Sequence, residues 1–241
     1  MENGYHMSNK IIVTGGSGRF GKNLKIFSKK KYIFPAKKKL DILDLKSIEN
    51  YIKANKPKLF VHLAGLSRPM SEHSTNIKKS ISLNIIGTSN VVIACSKHNV
   101  KLIYFSTSYL YPGTKGNYKE TDPLLPSNNY AWSKLGGESA VQMYSNSLIL
   151  RVSMTEKPFV HKSAFADMKT NFIFHDDFIK IFEKILNKKG IINIGGPSKS
   201  VYQFAKQYNP NIKKIFLKKK NLKMPINSSM NLSKLKKIIK S

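Results

Sequence analysis

At 241 residues the chain can build one sizeable core, or one domain carrying a small lobe, and a hydrophobic content of 41% is ordinary for a folded protein. The single cysteine, Cys95, excludes a disulfide framework and fits a reducing cytoplasmic compartment, while no apolar run approaches the roughly 20 residues of a membrane helix and the first residues lack the apolar core of a secretory signal, so none is expected. The net charge of +29 raises nucleic acid as a partner, but its lysines fall in scattered short runs with no zinc-ligand spacing, aromatic RNA-binding signature or basic-zipper heptad, so a solvated surface is expected, with no metal site.

Residues 1–9 show no periodicity and read as a disordered extension. The β-branched run Ile11-Ile12-Val13 then stops at glycines spaced three apart, Gly15, Gly18 and Gly21, and the amphipathic Leu24-Lys25-Ile26-Phe27 follows. That is strand, tight turn, helix. Such a turn needs glycine where φ is positive, where backbone must approach a pyrophosphate, and where the helix packs on the strand; the helix N-terminus favours anions. A strand-to-helix turn without a ligand is the bland alternative; its place after the first strand of an α/β chain favours dinucleotide binding.

A short second strand is expected over Lys31-Tyr32-Ile33-Phe34-Pro35, ending in a basic loop with Lys37, Lys38 and Lys39. In a dinucleotide fold this strand end faces the adenosine ribose, where an acidic residue suits the 2′-hydroxyl of NAD. Cations there, with Arg19 in the glycine turn, favour the 2′-phosphate of NADP; lysines solvating a surface turn are the other reading.

Leu45 to Ile52 has helical spacing, and Leu59-Phe60-Val61-His62-Leu63 reads as a buried parallel strand ending in the small Ala64-Gly65. Ile77 to His98 reads as one long helix, and Leu102-Ile103-Tyr104-Phe105 as a strand ending in Ser106-Thr107-Ser108. After a loop, Ser127-Asn128-Asn129 can cap a helix from Tyr130, and Leu148 to Arg151 is a further strand. Strands alternating with helices predict a doubly wound parallel sheet, Rossmann-like, with ligands at the carboxyl ends of its strands.

Tyr130 and Lys134 lie four apart on one helix face. A tyrosine near its reference pKa of about 10 is a poor proton donor or acceptor at neutral pH, but a nearby ammonium favours the phenolate and makes a general acid/base. Thr107, at a strand end, is a candidate to hydrogen-bond a carbonyl oxygen, with Ser106 and Ser108 flanking it. Tyr-x-x-x-Lys alone arises by chance in a lysine-rich chain; following both the glycine turn and the Ser-Thr-Ser strand end, it is a candidate active site.

Together the segments 14–21, 40–44, 63–65, 105–113, 120–122 and 130–138, with Asn84, Gly87 and Thr88, resemble the extended short-chain dehydrogenase/reductase (NAD-dependent epimerase/dehydratase) superfamily, and most closely its dTDP-4-dehydrorhamnose reductase branch. The resemblance implies that Thr107, Tyr130 and Lys134 form the catalytic set, with Tyr130 protonating a C4 oxygen and Lys134 holding the nicotinamide ribose. It implies a cofactor site of Gly15, Gly18, Arg19, Phe20, Gly21, Lys37, Asp41, Ile42, Leu63, Ala64, Gly65 and Asn84, shared with Tyr130 and Lys134. Ser108-Tyr109 stands where dehydratases of the superfamily carry Asp-Glu, and Ser108 where the reductases usually carry aspartate. The implied activity is an NAD(P)H-dependent reduction of a 4-keto-6-deoxy nucleotide sugar, with NADP preferred over NAD. An epimerase retaining NAD and a cofactor-binding regulatory protein are the alternatives, and a homodimer is an expectation of the resemblance alone.

The domain plan that the resemblance implies is a NAD(P)-binding Rossmann domain over 10–152 and a substrate lobe over 153–241, shortened because members of the family usually insert a substantial segment where only 23 residues separate Arg151 from His175 here. His175 reads as a strand-end hydrogen-bonding residue, Gly190 to Ile194 as a late strand, and 201–208 and 232–239 as short helices.

Overall fold

A computed structural model describes residues 8–220 and 222–240. In chain order the elements are β1 (Ser8–Thr14), α1 (Arg19–Phe27), α2 (Leu45–Asn55), β2 (Pro57–His62), α3 (Glu72–Thr75), α4 (Ile77–Ile81), a π-helical turn (Ser82–Ile86), α5 (Gly87–Lys97), β3 (Lys101–Thr107), α6 (Asn129–Gln142) and β4 (Ser147–Val152). The remainder is β5 (Met154–Thr155), β6 (Ser163–Phe165), β7 (Lys169–Thr170), β8 (Ile173–Phe174), α7 (His175–Ile185), β9 (Gly190–Ile194), β10 (Lys199–Ser200), α8 (Val201–Lys206), β11 (Lys213–Ile215) and α9 (Ser233–Lys240). No described helix is long and apolar enough to cross a membrane.

The central sheet has the strand order β1-β2-β3-β4-β9, and helices flank it in a Rossmann-like α/β arrangement. Parallel register pairs Ile11 with Leu59 through Thr14 with His62, and His62 in turn with Tyr104. On the far side of β1 the strand expected at 31–35 is reduced to a single bridge. Ile33 donates its N–H to Ile11 and accepts from Val13, both at 2.8 Å. Pro35, which has no N–H, ends the pairing within two residues. The chain thus steps from β1 to one side at Ile33 and then to the other at β2, so the sheet order reverses at β1, where a ligand crevice is expected in such sheets.

The extension expected over 1–9 is shorter at its end: Ser8 and Asn9 already belong to β1, and residues 1–7 lie outside the described residues. The helix expected over 77–98 is α4, the π turn and α5 in succession, because the turn at 82–86 takes one more residue than an α-turn. His175 is not a strand end but the first, buried residue of α7.

The chain forms two compact units. The first holds residues up to Phe105 together with 136–149 and 188–190; the second holds 106–135, 150–187 and 191–241. Ile11, Ile12, Val13, Phe60, Val61 and Ile103 are buried in the first, with Ile48, Ile52, Val91 and Cys95 from the helices. Burial pushes the Cys95 thiol far above its usual pKa, so it stays protonated and unreactive.

In the second unit, Phe159, Ala164, Met168, Phe174, Val201 and Phe204 form one apolar cluster. A separate polar core surrounds Arg151, which is fully buried. Its Nη1 donates to the Tyr111 hydroxyl at 2.9 Å and to the Glu120 carbonyl at 3.0 Å, while Tyr111 stacks on Tyr118 and donates to Asn193 at 2.8 Å. The segment 225–231 is tied to this unit: Asn227 N–H donates to the Gly113 carbonyl, and the Tyr118 and Ser229 backbones are joined at 3.0 Å.

Candidate cofactor-binding and catalytic sites

In the first unit the glycine turn is held by contacts that leave no space for a side chain. Gly15 has φ of +73°, and a Cβ there would come within 2.6 Å of the Ala64 nitrogen; one on Gly21 would come within 2.6 Å of the Gly15 carbonyl oxygen. Gly18 N–H donates to the Gly15 carbonyl at 2.9 Å and Gly18 then takes the N-cap position of α1. No side chain caps this helix, and its first turn holds no acidic residue, so the end stays electrostatically receptive to an anion. Phe20 is buried against Phe105, with ring centroids 5.0 Å apart, which fixes the first turn of α1.

The other expected cofactor residues of this unit fall in two groups. Lys37 and Asp41 face each other at 3.6 Å, with the Asp41 carboxylate also accepting the Leu43 N–H at 3.0 Å. Arg19 donates to Ser67 at 3.2 Å, and Ile42 is buried next to Gly87. Leu63, Ala64 and Gly65 follow β2. Asn84, in the π turn, brackets Leu66 on both sides: its Oδ1 accepts the Leu66 N–H at 2.7 Å and its Nδ2 donates to the Leu66 carbonyl at 2.9 Å. A Cβ on Gly65 would sit 2.7 Å from that Oδ1, so the bracket leaves no room for a side chain at Gly65.

Thr14, His62 and Thr88 are a part of this unit that spacing does not reveal. All three are buried and joined by hydrogen bonds of 2.9 and 3.1 Å. They lie 48 and 26 residues apart, and His62 sits inside an apolar run that reads only as a strand.

The second unit contains all three expected catalytic residues. Thr107 ends β3, is buried, and its Oγ1 accepts the Tyr109 N–H at 3.3 Å. Tyr130 and Lys134, both half-buried, lie one turn apart on α6, about 6 Å along its axis. The helix is capped as expected, with the Asn128 side chain accepting the Ala131 N–H at 3.0 Å. Tyr109 meets Tyr130 edge to face, ring centroids 6.3 Å apart, and Ser133 donates to the Tyr130 carbonyl at 2.7 Å. Ser106 is buried with its hydroxyl lacking a partner among the described residues.

Residues 9–171 match the family described as RmlD substrate binding domain. The chain is 28% identical over 159 residues to GDP-L-colitose synthase of Yersinia pseudotuberculosis, covering 64% of this chain and 51% of that protein. It is 27% identical over 202 residues to dTDP-4-dehydrorhamnose reductase of Aggregatibacter actinomycetemcomitans, covering 79% and 63%. The chain therefore spans between half and two thirds of the length of these curated relatives. Its fold is that of the crystal structure of dTDP-4-dehydrorhamnose reductase from Bacillus anthracis in complex with NADP, with a TM-score of 0.85 at 23% identity over 95% of this chain and 92% of that one. Matched by the family over well more than half of its length, the chain belongs to the RmlD substrate binding domain family and has an extended short-chain dehydrogenase/reductase fold.

Proposed function

We propose that the protein is an NAD(P)H-dependent reductase of a 4-keto-6-deoxy nucleotide sugar. The observation that carries this reading is the pairing of Tyr130 and Lys134 one turn apart on α6, in the same compact unit as Thr107. The glycine turn fits a dinucleotide: its backbone is bare of side chains at Gly15 and Gly21, and it leads into an uncapped helix end. Relatives named as reductases or synthases of nucleotide sugars, and a fold neighbour crystallised with NADP, support the same assignment.

A bound reduced nicotinamide supplies the hydride for the C4 carbon. Thr107 hydrogen-bonds the C4 oxygen and orients the carbonyl. Tyr130 gives its phenolic proton to that oxygen as the carbonyl π pair moves onto it, and regains a proton from solvent. Lys134 favours the phenolate left behind through its positive charge and hydrogen-bonds the nicotinamide ribose. Gly15, Gly18 and Gly21 let backbone reach the pyrophosphate, while Leu63, Ala64, Gly65, Asp41, Ile42, Phe20 and Asn84 line the rest of the dinucleotide. Arg19 and Lys37, with Lys38 and Lys39 beside it, supply cations for a 2′-phosphate, and the Asp41 carboxylate is engaged by Lys37 and Leu43; NADPH is therefore preferred to NADH. A homodimer belongs to the same reading, since Ile81, Ile86 and Ile93 are exposed on a stretch with no charged residue between Lys79 and Lys97.

The test is to follow reduced-cofactor absorbance with NADPH and a 4-keto-6-deoxy nucleotide sugar. Oxidation of NADPH that falls by about 10²- to 10⁴-fold in Tyr130→Phe is expected, as for loss of a general acid. Turnover unchanged in Tyr130→Phe and Lys134→Met overturns the mechanism, and bound NAD with no net consumption points to an epimerase.

A further inference from the structure

Ala64 N–H donates to Thr14 Oγ1 at 3.4 Å, and Thr14 Oγ1 lies 2.9 Å from His62 Nδ1. His62 Nε2 lies 3.1 Å from Thr88 Oγ1, and the Thr88 hydroxyl donates to the Asn84 carbonyl at 2.8 Å. A carbonyl can only accept, so the one Thr88 proton is committed to Asn84, and Thr88 Oγ1 faces His62 as an acceptor. Nε2 of a neutral ring must then carry the proton, and Nδ1 accepts the Thr14 hydroxyl, whose oxygen is already taking the Ala64 N–H. Every proton in the series points the same way, from Ala64 to the π turn. Thr14 and His62 are cross-strand partners, and the imidazole lies nearly parallel to the Tyr104 ring, with centroids 6.0 Å apart.

The two ends of this series meet the same short loop. Ala64 opens it, in contact with the glycine turn at Gly15; Leu66 closes it, clasped by the Asn84 side chain. A buried polar network of this kind is costly unless fully satisfied, and an apolar side chain at 62 packs a strand end at least as well. We propose that His62, held as the Nε2–H tautomer between Thr14 and Thr88, is a positioning residue. It sets the backbone of Ala64 to Leu66 at the height a nicotinamide dinucleotide needs. The inference rests on the reading of the first unit as a dinucleotide site and adds to it a residue that touches no ligand.

Two measurements test it. In the dinucleotide-free protein, ¹⁵N shifts of the His62 ring at pH 7 report a neutral Nε2–H imidazole; an Nδ1–H tautomer or an imidazolium overturns the proposal. NADPH and NADH are then titrated into the wild type, Thr88→Val and Thr88→Ser, each checked for folding by circular dichroism. Thr88→Val removes the donor to Asn84 and the acceptor for His62 at constant shape, and its Kd rises about tenfold, as expected for a lost buried hydrogen bond. Thr88→Ser restores binding to within about twofold, and kcat at saturating cofactor changes little in either variant. Thr88→Val binding like the wild type, or Thr88→Ser failing with it while folded, refutes the positioning role with the cofactor site intact. A wild type that binds neither dinucleotide removes the functional reading itself, and this inference with it.

Discussion

The Tyr118 hydroxyl shows how one atom can organise a loop. It accepts the N–H groups of Thr114 at 3.0 Å and Lys115 at 3.2 Å and contacts the Thr114 hydroxyl at 3.2 Å, with the Lys115 ammonium over its ring. Burial alone raises the pKa of this phenol, but hydrogen bonds from Thr114, Lys115 and Gly116 outweigh it and hold the group below the usual tyrosine value of 10.0. Because the folded pKa is the lower one, the unfolded chain binds more protons between the two values, and stability rises as pH rises through that window. Tyr118→Phe leaves the N–H groups of Thr114, Lys115 and Gly116 without this acceptor and is expected to cost about 1–3 kcal/mol; denaturant titration at pH 7 and pH 9.5 measures both the loss and the disappearance of the alkaline gain. Tyr118 carries no sequence signal, since its partners are backbone groups of a loop. Gly15, by contrast, was readable from spacing alone, because a turn that tight admits no other residue.

Among the elements, the π turn between α4 and α5 carries the clearest constraint. Asn84 and Thr88 both point into the protein from it and from the helix that follows, buried to the same degree. Apolar spacing across Ile81, Ile85, Val92 and Cys95 reads as one helix, because a single extra residue is absorbed by a periodicity of 3.6. Inserting one alanine between Gly87 and Thr88, within the regular helix α5, rotates everything beyond it by about 100°. The Thr88 contact with His62 is then lost, and a fall in melting temperature together with loss of dinucleotide binding is the expected result. The other elements divide by length. The strands β2, β3 and β4, the cap of α6 at Asn128 and the helix α2, whose N-cap Asp44 accepts the Ser47 N–H, follow from local pattern. The pairs β5–β8, β7–β10 and β6–β11 span two or three residues each, too few for any alternation to register. The strand expected at 31–35 fails for the opposite reason: its side chains suit a strand, but Pro35 cannot continue the ladder.

For the molecule as a whole, charge decides what two copies can do. A net charge of +29 drives copies apart, and the stretch from Ser80 to Ser96 is free of that charge, with Ile93 49% exposed on it. Sedimentation velocity at 0.15 M salt is expected to give a dimer, and Ile93→Lys a monomer of unchanged melting temperature; a monomeric wild type ends the dimer reading. The superfamily motifs in residues 14–138 announced a dinucleotide fold, whereas a compact unit assembled from three separate segments has no linker that a sequence could mark. That interleaving has a consequence for synthesis. The first unit draws its last residues from 188–190, with Lys101 donating to the Lys188 carbonyl at 2.7 Å, and β4 gains its outer neighbour only when β9 emerges. On the ribosome the nascent chain must therefore carry a sheet with a bare edge for some forty residues after β4 is made, which makes the growing chain, rather than the finished protein, the form most dependent on chaperones.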